Sequence, residues 1–283
     1  MANIDWNEAL KYAQLVKVAY SAAPQGELDQ AAKDAMAALG YTYIQSVYAN
    51  DLATDINPNG GHDWVSFGFI AGSAAELVIS IRGTEGINEW LHDAEFWLVS
   101  CPVFGAKGWT EDGFSAIYKS FRPTRDPAGA PHLMQTIRGL IDAGAYTKVT
   151  VCGHSLGGAL TSFLGLDIAL NTSCKNPVVY SYASPRVGDP TFAHHYNQTV
   201  TTNYRIENRS DLVPKLPPIL PVPYEHVNTD EALIPVPGEI KAEIACMHVI
   251  ETYLHLVAAK AGAAGFPVGA NCIPPNATAE NQG

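Results

Sequence analysis

Apolar positions recur along this chain with two different periods. Leu10, Ala13, Val16 and Tyr20 fall at helical spacing, so residues 9–22 are predicted as an amphipathic helix with Lys17 as its imperfect member. Residues 41–48 alternate as a half-buried strand does, and 64–71 and 200–207 also read as strands. Residues 77–81 and 147–152 are short β-rich runs, the first of the kind buried in a sheet centre. Helical spacing returns over 155–171, with Leu156, Ala159, Leu160, Phe163 and Leu164 on one face. Residues 178–182 and 223–229 are predicted as further strands, and 240–261 as a helix. Strands alternating with helices predict parallel βαβ units and an α/β fold.

Breakers divide these elements. Residues 57–61 form a loop by composition, and seven prolines between 211 and 237 exclude a helix interior there. No linker or internal repeat interrupts the first 261 residues, so the expectation is a single domain over 1–283. Its last stretch, 262–283, is rich in Gly, Pro, Ala and Asn and is expected to be loosely held.

Composition narrows the function more than the fold. With 47% apolar and 16% charged residues, the 283-residue chain is not wholly disordered. Its 17 basic against 28 acidic residues give a net charge of −11, which argues against nucleic acid and against electrostatic docking on anionic lipid. No uncharged apolar run approaches the roughly 20 residues that span a bilayer, so no transmembrane segment is expected. The first eight residues do not read as a signal peptide. Of the five cysteines, Cys152 lies in an apolar strand and is expected to be buried and inert. Cys101, Cys174, Cys246 and Cys272 allow three pairings, which leaves the compartment open.

The stretch from Val149 to Gly158 carries the chemistry. Gly153-His154-Ser155-Leu156-Gly157 is G-x-S-x-G between a predicted strand and a predicted helix. A hydroxyl is a poor nucleophile until a base takes its proton, and it must stand clear of the backbone. A tight strand-to-helix turn achieves this, with glycines two residues either side leaving room for it. The helix N-terminus supplies free N–H groups for developing negative charge. Ser155 is thus the candidate nucleophile.

With its flanks, this motif resembles the class 3 (fungal-type) lipases of the α/β-hydrolase fold. Gly153 to Leu160, and Leu166-Asp167-Ile168 later in the same helix, carry the likeness. So do Leu77 to Glu85, similar to the family's strand and oxyanion loop, Tyr182 to Gly188, and Asn208 to Pro217, similar to its acid loop. The resemblance spans about residues 10–260 in the family's order. It implies a central, mostly parallel sheet flanked by helices, with a short helical lid. One departure is visible: where many members carry a His before the Gly-aromatic pair, this chain has Thr110-Glu111-Asp112 before Gly113-Phe114.

In that fold the triad runs Ser, acid, His along the chain. Asp211 follows a predicted strand; by position alone it could equally close an Asx-turn, and the matching context makes it the expected acid. Asp189 precedes a helix and reads as an N-cap, and Glu207 lies within a strand. Of the three histidines that follow, His226 reads as a strand residue. His248 resembles the family's catalytic His, and His255 lies seven residues further along the same predicted helical face. His248 is therefore the expected base, and His154 is not. The oxyanion hole is expected from the backbone N–H of Leu156 and, by resemblance, from Thr84.

Ile87, Trp90, Leu91 and Ala94 share one face of a short predicted helix after the oxyanion loop. A surface helix would look the same; the family places its lid there. Apolar residues near the site (Trp97, Leu98, Val103, Phe104, Pro185, Val213, Leu216, Ile219 and Leu220) suggest an acyl groove without showing which of them line it. The function expected is a carboxylic-ester hydrolase, foremost a triacylglycerol lipase, working through an acyl-enzyme at a lipid–water interface. It needs no metal or organic cofactor. Feruloyl esterase, phospholipase and short-chain carboxylesterase are the alternatives on the same machinery, and a non-catalytic lipid-binding protein is the rival of another class.

Overall fold

The computed structural model describes residues 3–22, 28–50, 64–84, 96–126 and 128–274. Along the chain run α1 Trp6–Tyr20, α2 Gln30–Ala38, β1 Thr42–Asn50, β2 Trp64–Gly72, β3 Glu76–Ile81, β4 Leu98–Ser100 and β5 Trp109–Glu111. Then come α3 Asp112–Ser120, α4 Leu133–Asp142, β6 Lys148–His154, α5 Leu156–Asn171, β7 Val178–Tyr182, α6 Pro190–Thr199 and β8 Thr202–Asn208. The last are β9 Asp230–Leu233, α7 Ile244–His248 and α8 Ile250–Ala261.

Among the described residues seven strands form one sheet in the order β1-β2-β3-β6-β7-β8-β9. The first three pair antiparallel and the pairs from β3 to β9 are parallel, as βαβ crossovers require. All of β3 and all of β6 after Lys148 are buried, because helices cover both faces of the sheet. On one face Phe114, Ile117, Ile137, Phe163 and Phe192 from α3 to α6 pack on Ile79 and Val151. On the other, Tyr12 and Val16 of α1 and Tyr253 and Val257 of α8 pack on Val78 and Cys152. Alternate residues of one strand thus feed two cores. α5 is apolar nearly all round and is accordingly buried along most of its length.

The structure departs from the sequence expectations in two of the predicted elements. Residues 223–229 are irregular rather than a strand; the edge strand begins at Asp230, and Glu225 makes only an isolated bridge to Gly188. His226 therefore sits in a loop, its Nε2–H donating to Pro214 O at 2.6 Å. The helix expected over 240–261 is two helices, broken where Val249 is extended (φ −57°, ψ 148°). Short helices and strands between β3 and β6, along with α2, carry too little periodic signal to be read in advance. Glu111 lies in the Thr110-Glu111-Asp112 segment, where the sequence departs from the family pattern. It caps α3, accepting from Gly113 N at 3.0 Å and Phe114 N at 2.6 Å, and burial pushes its carboxyl up to about 7.

Cys246 and Cys272 form a disulfide across 26 residues, while Cys101, Cys152 and Cys174 are free thiols. Burial raises the Cys152 thiol, in keeping with an inert core residue. Residues 262–274 are fastened by that disulfide, by Lys241 N donating to Cys272 O, and by His255 Nδ1–H donating to Phe266 O at 2.8 Å.

Candidate active site

The parallel register sets Ser80 of β3 beside Cys152 of β6, and Ile81 beside Gly153. Both strands therefore end together at the carboxyl edge of the sheet, where open α/β folds hold their ligands. β6 runs into Ser155, whose φ of +59° and ψ of −128° take the chain from strand to helix within one residue. L-residues avoid this region, and the turn persists because its surroundings leave nothing else. A Cβ at Gly157 would collide with the carbonyls of Ile81 and Arg82, and one at Gly153 with that of Gly157. Glycine at both positions lets the N-terminus of α5 close against the end of β3. That contact brings Leu156, the first residue of α5, to the corner held by residues 82–84.

Ser155, Asp211 and His248 come together from three separate segments. Ser155 Oγ–H donates to His248 Nε2 at 2.8 Å, and His248 Nδ1–H donates to Asp211 Oδ2 at 2.8 Å. The carboxylate can only accept, which places the ring proton on Nδ1 and leaves Nε2 free for the hydroxyl. All three are buried, with exposures of 1%, 0% and 3% respectively. Asp211 follows β8 and is held by two more donors: Val213 N to Oδ1 at 3.0 Å and Tyr253 Oη to Oδ2 at 2.8 Å. Tyr253 Oη in turn accepts from Asn208 N at 3.1 Å, and Asn208 Nδ2 donates to Met247 O at 2.9 Å beside the histidine. Burial first, and then the charge of Asp211, hold the Tyr253 phenol well above its ordinary value, so it stays a donor.

Other sequence candidates fall elsewhere. His226 is half-buried in its loop, and desolvation together with Arg205 lowers it to about 3. His255 donates from Nε2 to Glu239 at 2.5 Å and belongs to the C-terminal fastening. Asp189 caps α6, accepting from Phe192 N at 2.8 Å. Thr84 is half-buried directly after β3. Ile87, Trp90, Leu91 and Ala94 lie outside the described residues. Among the described residues no group of three or more His, Cys, Asp and Glu side chains could hold a metal, and no helix is long and apolar enough to cross a membrane.

Sequence reasoning missed three polar residues around the triad. Tyr20 Oη lies 2.8 Å from His154 Nδ1 and accepts from Gly83 N at 2.9 Å. His154 Nε2 lies 2.7 Å from His248 O. Arg82 is buried, its Nε donating to Ser66 O at 2.7 Å and its Nη1 to Gly83 O at 2.8 Å. The one local signal for Tyr20 is its place on the apolar face of α1, which reads as core.

An apolar cavity of about 350 Å³ is lined by Phe96, Trp97, Pro217, Pro218, Leu220, Pro221, Val222 and Tyr224. Of the nine groove candidates, Trp97 and Leu220 line it. Val103, Pro185 and Val213 are buried, and Phe104 borders a different cleft, beside Tyr118 and Arg138. Arg186 holds the cavity wall, its Nη1 donating to Lys215 O and, at 2.7 Å, to Pro217 O.

The model of the family described as Lipase (class 3) matches residues 78–220. Phospholipase A1-II 3 of Oryza sativa subsp. indica is 31% identical over 242 residues, 74% of this chain and 57% of that protein. A lipase of Rhizomucor miehei is 34% identical over 150 residues, 52% of this chain and 39% of that protein. The chain thus spans about half the length of these relatives. The crystal structure of a lipase from Rhizopus microsporus var. chinensis superposes with a TM-score of 0.61 at 26% identity, covering 80% of this chain and 74% of that one. The α/β-hydrolase fold is shared with it.

Proposed function

The chain belongs to the class 3 lipase family, and on that premise we propose that it is a serine hydrolase of carboxylic esters whose foremost substrates are triacylglycerols. The observation that carries this reading is the unbroken line from Ser155 Oγ through His248 to Asp211, 2.8 Å at each link and buried throughout. Ser155 Oγ attacks the ester carbonyl while His248 Nε2 takes its proton. Asp211 keeps the imidazole in the required tautomer and stabilises the imidazolium that forms. The backbone N–H groups of Leu156 and Thr84 receive the oxyanion; losing one such donor costs on the order of 100- to 1000-fold in rate. The alcohol leaves with the proton from His248, and a water activated by the same nitrogen releases the fatty acid.

The apolar cavity walled by Trp97, Leu220 and Tyr224 falls within the usual volume of a ligand pocket, roughly 300–1000 Å³, and supports an acyl substrate. Ser155 exposes 1% of its surface, too little for an ester to reach Oγ, so the reading includes a movement that uncovers it. The amphipathic pattern of Ile87, Trp90, Leu91 and Ala94 supports a lid opened by a lipid surface, where its apolar face is covered. A second reading, phospholipase A1, is favoured by the rice relative, whose similarity extends over more of the chain than that of the fungal lipase.

The test is a rate profile over p-nitrophenyl esters from acetate to palmitate, with emulsified triolein and phosphatidylcholine vesicles beside them. Triolein should be hydrolysed fastest, with a rate that rises more than proportionally once the emulsion forms. Faster loss of an acyl chain from phosphatidylcholine would establish the second reading. No hydrolysis of any ester by folded protein would overturn both.

A further inference from the structure

We propose that Tyr20 and His154 are positioning residues that set the oxyanion loop against the base, a role that rests on the ester-hydrolase reading above. His248 O can only accept, so the hydrogen bond of 2.7 Å from His154 Nε2 requires the proton on that nitrogen. His154 is 2% exposed and its environment disfavours the imidazolium, first through burial and then through the neighbouring His248. Its Nδ1 is therefore bare and accepts the Tyr20 hydroxyl proton at 2.8 Å. With that proton committed, the Tyr20 oxygen accepts from Gly83 N–H at 2.9 Å. One line of hydrogen bonds thus joins the end of β3, the last residue of α1, the residue before the nucleophile and the backbone of the base.

The consequence falls on Thr84. The Gly83 N–H is consumed by Tyr20 and is no oxyanion donor. Gly83 O is held from the other side by Arg82 Nη1 at 2.8 Å. A trans peptide is planar, with its N–H opposed to its carbonyl, so fixing Gly83 O also fixes the direction of the Thr84 N–H. The two peptide planes that meet at the Gly83 Cα are each pinned by a side chain. The space there is closed as well. A Cβ at Gly83 would meet Tyr20 Oη at 2.7 Å, Ser155 Cβ at 2.8 Å and His154 O at 2.9 Å. His154 also packs its ring 4.8 Å from that of His248, which couples the two histidines laterally as well as through the carbonyl. The donor is therefore aimed before substrate arrives, and aiming it requires no reorganisation during the reaction.

Tyr20→Phe removes the hydroxyl and nothing else. The expected result is a fall in kcat of roughly 10- to 100-fold on soluble p-nitrophenyl butyrate, with KM within about threefold of wild type. The rate of inactivation by an alkyl phosphonate, which builds the same tetrahedral centre on Ser155, should fall by the same factor. A role in stability alone would lower the thermal midpoint and leave both rates per folded molecule unchanged, and that result overturns the proposal. Should the variant not fold, nitrogen NMR of His154 in the wild-type protein decides. Nε2 protonated and Nδ1 bare across the stable pH range supports the relay; the opposite tautomer, or an imidazolium, overturns it. A wild-type protein that neither hydrolyses esters nor reacts with the phosphonate would instead defeat the functional reading. An active wild type with an unaffected Tyr20→Phe variant would defeat only this inference.

Discussion

Two buried carboxylates mark opposite ends of the sheet, and the kind of donor each gathers sets what each can do. Glu76 opens β3 at the amino edge and gathers Tyr12 Oη at 2.7 Å, Tyr41 Oη at 2.5 Å, Thr150 Oγ1 at 2.5 Å and Lys148 Nζ at 3.1 Å. Asp211 follows β8 at the carboxyl edge and gathers His248 Nδ1, Tyr253 Oη and Val213 N. In both, a carboxylate is taken out of water and given donors in return, which is what burying a charge demands. Around Glu76 the donors lead on only to one another and to a second carboxylate, Glu8. Burial, with Glu76 next, holds the Tyr12 and Tyr41 phenols above their ordinary values, so they stay protonated. Around Asp211 one donor is an imidazole whose far nitrogen goes on to Ser155 Oγ. The first arrangement is an anchor because nothing in it changes charge. The second can stabilise a charge that exists only during reaction.

The largest test of this contrast is Ser155→Ala, which should lower hydrolysis by on the order of 10⁶-fold while the thermal midpoint stays within a few degrees. Asp211→Asn should follow at about 10⁴-fold in kcat, with the fold kept by the remaining donors. The amino-edge counterpart should behave oppositely. Glu76→Gln should cost about 2–4 kcal/mol in urea unfolding and leave activity per folded molecule within about twofold. If Glu76→Gln lowered kcat as Asp211→Asn does, the division between anchor and machinery would be wrong.

Acid provides a finer separation. Burial alone would raise the Glu76 carboxyl, but the hydrogen bonds from Thr150, Tyr41 and Tyr12 outweigh it, and it sits below its ordinary value of 4.5. A depressed carboxyl contributes stability that is present above that value and is lost as pH falls through the folded-state value. Unfolding free energies followed downward from pH 6 should therefore drop more steeply below 4.5 for the wild type than for Glu76→Gln. Parallel curves would show that the carboxylate is not held by its partners. The smallest effect is expected at the two remaining histidines after Asp211. His226→Ala and His255→Ala should keep kcat within about tenfold of wild type, because their rings serve a loop carbonyl and the C-terminal fastening.

Legibility in the sequence followed how local each signal is. Strands β3, β6 and β7 and helix α5 were readable because burial on both faces, or around a whole helix, writes itself into consecutive residues. The bend at Ser155 was readable because glycines within two residues make room for it. Asp211 and His248 needed the family resemblance, since a carboxylate after a strand and a histidine before a helix have many ordinary uses. The break at Val249 and the irregular course of 223–229 were not readable: a one-residue break leaves the composition around it helical, and alternation alone does not supply a strand partner.

By itself the sequence determined the α/β alternation, the nucleophile turn and the residue types available for the chemistry, because backbone sterics and side-chain periodicity act over a few residues. Tertiary structure alone decided that Cys246 pairs with Cys272. It also decided that Tyr20 reaches His154 across 134 positions, and that four donors, from α1, from β6 and from Tyr41 just before β1, converge on Glu76. Those contacts are made between side chains that meet only after the helices have packed on the sheet. Partner choice there is set by the distances packing leaves, about 3 Å for a hydrogen bond, which no spacing along the chain records.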